Sequence, residues 1–235
     1  MFESIIKAIL AIFGRAKPAE VATPQPPFDT TGFPVALFEL EYALKQAGAS
    51  GKVDVERIAT ALRISCLRFG ITGIYPLAHL IAHLAHESGG FFRTVESLVY
   101  TPQRLVAVFP KRVSVDMAAM IAGNEYETAE RVYGYRADLG NDVEGDGFKH
   151  RGLFWVQLTG KANQRAFGSY MGLTIEQLWM QRDDPQLNAD AACWYFTRLR
   201  RGFIDAANAN DIVTTTRIIN GGLNGLADRS RRLQA

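Results

Sequence analysis

Residues 76–87, PLAHLIAHLAHE, limit what this chain can fold into more than any other stretch. Nearly every position is apolar or small, so a helix built from it has no broad polar face and belongs inside a core. It also stops abruptly, because Ser88, Gly89 and Gly90 follow and paired glycines do not continue a stable helix. A carboxyl at the end of a buried helix is partly desolvated, which favours its protonated form. That makes the last residue, Glu87, a candidate general acid. Spacings of four and three put His79, His83 and His86 roughly on one face of the same helix. Histidines at i and i+4 can hold zinc. The metalloprotease H-E-x-x-H pattern is absent, however, and the expected roles are core polar contacts and support of Glu87, with no metal and no cofactor.

The rest of the chain, 235 residues in all, divides unevenly. Phe2, Ile5, Ile6, Ile9, Ile12 and Phe13 recur at helical spacing, which predicts an amphipathic helix over residues 1–17. Residues 18–27 are proline-rich and read as an extended linker. A body follows over residues 28–235. Its apolar spacing predicts helices opening at Pro34 and covering 55–67, 102–108, 115–122, 126–133, 174–181, 189–199 and 212–219. Residues 155–158 are the best candidate strand, and residues 138–152 form a glycine-rich acidic loop. Lys and Arg number 26 against 24 Asp and Glu, a net charge of +2 that argues against a dedicated nucleic-acid binder. A local basic patch at Arg229, Arg231 and Arg232 is the alternative source of affinity for an anionic polymer. Cys66 and Cys193 read as two buried thiols.

Glu96 is the second candidate carboxylate. On one continuous helix the nine residues from Glu87 would span ~13.5 Å, too far for paired work on a glycosidic bond. The Ser88-Gly89-Gly90 break lets the chain turn back so that both carboxylates can face one cleft.

These residues carry a resemblance. AHLIAHLAHESGGF (78–91) and the VESLVYTPQRLVAVFPKR that follows resemble the catalytic region of family 19 glycoside hydrolases, which include chitinases and many phage endolysins. RVYGYRADLGN (131–141), GDGFKHRG (145–152), VQLTGKANQRAFG (156–168) and INGGLNGLADR (219–229) continue the match in order. The resemblance implies a mainly α, two-lobed lysozyme-like domain with a small irregular β element at the cleft. It implies Glu87 as general acid and Glu96 as general base of an inverting, metal-free reaction. Gln157 and Thr159 would line the cleft and hold water, Asn220 would bind sugar, and Arg229 would be coupled to the acid. Tyr133 and Arg151 would belong to the cleft wall.

Closeness to the shorter, loop-poor members favours a phage-type endolysin acting on peptidoglycan, with a chitinase or an inactive glycan-binding protein as alternatives. Such an enzyme is expected to be a monomer made in the host bacterial cytoplasm. It would act on the wall from the periplasm or from outside, with weak membrane-surface contact through residues 1–17. Leu153 and Phe154 replace the family's usual basic residue and glycine, so Phe154 or Trp155 is expected either to stack on a sugar or to pack inward. The family's usual final helix is expected to be cut short after Arg229.

Overall fold

A computed structural model of the chain describes residues 33–235. The helix expected over 1–17 and the linker over 18–27 lie outside the described residues. Helices α1 (Leu37–Gln46), α2 (Val55–Arg68) and α3 (Ile74–Glu87) begin the body. Asp54 caps α2 by accepting from the Arg57 amide, satisfying one of the donors a helix start leaves open. Pro76 stands in the first turn of α3, where its missing N–H costs no bond. Leu77, Leu80, Ile81, Leu84, His79 and His83 are all buried, as so apolar a helix requires. The expected stop falls where the sequence places it. Ser88 Oγ donates to the Leu84 carbonyl and accepts from the Phe91 amide, both at 2.6 Å. Gly90 has φ 77°, and a Cβ there would overlap the Gly48 carbonyl oxygen, so the α1–α2 loop closes only over glycine.

A second, smaller core lies in α4 (Pro102–Val108), α5 (Val115–Ile121) and α6 (Glu125–Tyr133). Thr101, Ser114 and Asn124 cap them, and Leu105, Val113, Ala118, Ile121 and Val132 meet inside. The acidic loop holds a 3₁₀ turn, Ala137–Leu139, and the short α7 (Asp146–Lys149). The larger core continues through α8 (Lys161–Met171), α9 (Ile175–Met180) and α10 (Pro185–Trp194), which runs into a π-helical turn at Tyr195–Leu199. Helices α11 (Phe203–Asn208) and α12 (Ile212–Asn220) complete it, and α13 (Leu226–Gln234) follows. The expected mainly α architecture with two lobes is therefore present. Arg229 lies within α13, a nine-residue helix packed on α3.

The expected small irregular β element is present as a single bridge among the described residues. One isolated antiparallel bridge pairs Val95 with Leu153, extended by Glu96 N–H to the Gly152 carbonyl at 2.8 Å and Phe154 N–H to Thr94 at 2.6 Å. The strand expected at 155–158 does not form. Phe154 and Gln157 have φ of 65° and 54°, so the backbone turns there, and the Trp155 amide bonds the Asn188 side chain instead of a partner strand. Phe154 and Trp155 both pack inward. Phe154 meets Phe167 edge-on at 5.7 Å and Trp155 meets Phe91 at 5.3 Å, so neither ring is available to a sugar. Each such burial contributes about 2–3 kcal/mol. Cys66 and Cys193 are buried free thiols, brought to 3.9 Å across the packing of α2 on α10.

Candidate active site

The end of α3 is completed from α13. Arg229, only 2% exposed, donates from Nη2 to Glu87 Oε1 at 2.6 Å and from Nη1 to His83 Nδ1 at 2.9 Å. A guanidinium can only donate, so His83 accepts at Nδ1 and its ring is neutral. Burial, and then the Arg229 charge, push the His83 pKa down to about 2. His83 and Glu87, one turn apart, thus grip the same cation from one helix face. Glu87 itself stays about a quarter exposed, so a ligand can reach it. The sequence places Glu87 at the end of an apolar helix, and the structure sets the buried Arg229 guanidinium on its carboxyl.

The other histidines turn elsewhere. His79 bonds Asn210 at 3.0 Å and Thr215 at 3.2 Å, and His86 Nδ1 lies 2.7 Å from Asp228 Oδ2. Asp228 also takes Arg231 and Arg232. Of the expected basic patch, Arg229 is buried on Glu87, while Arg231 and Arg232 share the single carboxylate of Asp228. Asn220, exposed at the end of α12, donates to the Asn224 carbonyl at 3.1 Å. Its loop returns over α3, where a Cβ on Gly225 would stand 2.5 Å from His86 Nε2.

Glu96 leaves the Val95 bridge beside the smaller lobe. Tyr133, the last residue of α6, donates its hydroxyl to Oε1 at 2.8 Å, and the Gly152 amide donates to Oε2 at 3.0 Å. Burial holds the Glu96 pKa above the ordinary carboxylate value, and these two bonds and the Arg151 charge offset only part of that rise. Burial and the adjacent Glu96 charge push the Tyr133 phenol well up, so it stays protonated and remains a donor. Gln157 closes on the same place, since a Cβ on Gly152 would lie 2.5 Å from Gln157 Oε1 and 3.0 Å from Glu96 Cβ. Thr159 Oγ1 is bonded to the Gln157 carbonyl at 3.1 Å, so it reaches this group through Gln157. Arg151 is held beside it, with Nη1 on the Phe148 carbonyl at 2.7 Å.

The candidate residues thus fall into two sets. Glu87, Arg229 and the Asn220 loop gather at the end of α3. Glu96, Tyr133, Gln157, Thr159 and Arg151 gather at the bridge, and no hydrogen bond joins the two sets. The sequence did not single out the Gly152 amide or His83 as the second acceptor on Arg229. The i, i+4 spacing of His83 and Glu87 is the signal that could have found the latter.

Glu87 and Glu96 are thus two carboxylates held in separate settings on a mainly helical fold. No known family profile matches the chain. It is 32% identical over 182 residues to a glycosyl hydrolase family 19 domain-containing protein of Haemophilus influenzae, covering 77% of this chain and 88% of that protein. The chain belongs to glycosyl hydrolase family 19. Among solved structures it resembles chitinase C from Streptomyces griseus, with TM-score 0.52 and 18% identity over 86% of this chain and 90% of that one. It also resembles a bacterial family 19 chitinase, with TM-score 0.51 and 21% identity over 85% and 93%. At those identities the two structures establish the shared fold.

Proposed function

We propose that the chain is a peptidoglycan-degrading endolysin that hydrolyses β-1,4 bonds between amino sugars with inversion. Glu87 protonates the leaving oxygen. Glu96, with Gln157 and Thr159, directs water at the anomeric carbon. The observation that carries this reading is the clamp on Glu96. Both of its oxygens accept from neutral donors, Tyr133 and the Gly152 amide, which leaves an oriented carboxylate suited to taking a proton from water. Arg229 and His83 fix the orientation of Glu87. Asn220 contributes sugar contacts, and Tyr133 and Arg151 form the wall behind the base.

The enzyme is made in the host cytoplasm, acts as a monomer on the wall from the periplasm or from outside, and touches anionic membrane weakly through residues 1–17. The second reading, a chitinase, is favoured by the likeness to the two chitinase structures. Mass spectrometry of fragments released from murein and from chitin oligomers separates the two and identifies the bond cut.

The roles are tested by Glu87→Gln and Glu96→Gln in turbidity assays on outer-membrane-permeabilised cells. Each should lower the rate by about 10²–10⁴-fold. Azide, a small nucleophile that replaces activated water, should restore turnover to Glu96→Gln alone. Near wild-type lysis by Glu87→Gln overturns the assignment, and rescue of Glu87→Gln by azide reverses the two roles.

A further inference from the structure

A cavity of about 570 Å³ opens beside the Glu96 set and is used by no step above. It lies between α7 and α9, and Phe148, Lys149, Arg151, Ile175, Glu176 and Trp179 line it. Its size suits a small ligand or a short peptide. Its wall is organised around one guanidinium. Arg151 stacks on the Phe148 ring at 4.0 Å and on the Trp179 ring at 5.1 Å. Its Nη1 is committed to the Phe148 carbonyl, while Nε is buried with no hydrogen-bond partner. Trp179 is held by Nε1 on Gln164 at 3.3 Å. Exposed Lys149 and Glu176 stand at the rim. Two cations against one anion suit a ligand with more carboxylate than ammonium, and the rings and Ile175 suit short aliphatic groups.

The cavity is tied to the cleft through the backbone. Arg151 directly precedes Gly152, whose amide holds Glu96. The Glu96 and Arg151 charges also act on each other, so a sugar bound against Glu96 has this cavity within reach of a substituent. Uncharged N-acetylglucosamine polymers have no group that would use it. A muramoyl residue does, because its lactyl ether carries a peptide of alanyl, glutamyl and diamino-acid units with several carboxylates and one amine.

We propose that this cavity is the binding site for the peptide arm of the muramoyl residue and makes the enzyme prefer peptide-bearing strands. The inference rests on the murein reading above and adds the substituent that the site recognises. It is tested with the full chain on murein strands and on the same strands stripped of peptide by an amidase, counting new reducing ends. The soluble stem tetrapeptide is titrated calorimetrically in parallel.

The wild type should show a KM about tenfold lower on peptide-bearing strands and should bind the free peptide. Lys149→Glu, an exposed change that leaves the core alone, should raise KM about tenfold on peptide-bearing strands and leave stripped strands unchanged. Trp179→Phe keeps a ring at that position and should give a smaller shift of the same kind. Equal KM values for the two substrates, or a Lys149→Glu enzyme shifted on neither or on both alike, overturns the proposal. Peptide binding without cleavage of either strand type overturns the hydrolase reading and leaves the pocket standing. Cleavage of both without peptide binding does the reverse.

Discussion

Glu87 and Glu96 sit nine residues apart in one chain and experience opposite surroundings. Glu87 is anchored by charge: a buried guanidinium from α13 holds it, and a neutral histidine one turn back shares that cation. Glu96 is anchored by neutral donors, a phenol from the smaller lobe and a backbone amide from the Leu153 bridge. The first arrangement fixes a side chain through the large core. The second fixes one across the junction of two cores, where α6 and the bridge must both be in register. A single sequence motif is thus divided between two kinds of electrostatic support, and each kind fails differently when disturbed.

Gly152→Ala attacks the Glu96 side most severely. The added methyl would stand 2.5 Å from Gln157 Oε1 and 3.0 Å from Glu96 Cβ. Displacing the carboxylate by about 1 Å should lower kcat about a hundredfold, while circular dichroism of the helices is unchanged. Retention of full kcat would mean that Glu96 tolerates displacement and that its clamp is unimportant.

Tyr133→Phe removes one donor and keeps the ring. An expected loss of about tenfold in kcat corresponds to one hydrogen bond to a charged group. The lost bond had lowered the Glu96 pKa, so the acidic limb of the pH–rate profile should move to higher pH. A fall in rate with no movement of that limb would place Tyr133 outside the ionisation of Glu96.

The effect on the Glu87 side is read in stability. Folded His83 stays neutral down to about pH 2, whereas the unfolded ring takes a proton below its ordinary 6.5. The unfolded state therefore binds more protons in that window, and stability falls as pH drops from 6.5 toward 2. In His83→Gln, urea unfolding at pH 7 and pH 5 should show a gap narrower than wild type by about 2 kcal/mol. An unchanged gap would remove the ring from the pH response.

The parts of this comparison were unequally legible. The α3 segment announces both its burial and its stop, because apolar density and paired glycines are local signals. The starts of α4, α5 and α6 are likewise marked by Thr101, Ser114 and Asn124. Helix α13 was not anticipated from apolar spacing, since its only buried residue is Arg229 and no apolar stripe exists to read. Helix α8 escaped similarly, with Gln164 and Gly168 joining Phe167 on its inner face. Residues 155–158 misled in the other direction. Trp155, Val156 and Leu158 all go inward from a tight turn, so the apparent alternation was not that of a strand. Glu87 and Glu96 were identifiable from chain order and resemblance. Arg229 as a partner of the acid came from the resemblance alone; the His83–Arg229 contact was not legible, because 146 residues separate the two and spacing rules do not act over such distances.

That separation also bears on the order in which the molecule comes together. The Glu87–Arg229, Ser65–Asp190 and Cys66–Cys193 contacts span 142, 125 and 127 residues, whereas the helices themselves form from neighbours. Contacts that close long loops pay their entropy before they are rewarded, and they form late. During refolding, helical signal should recover first, and competence to turn over substrate should lag until α13 seats against α3.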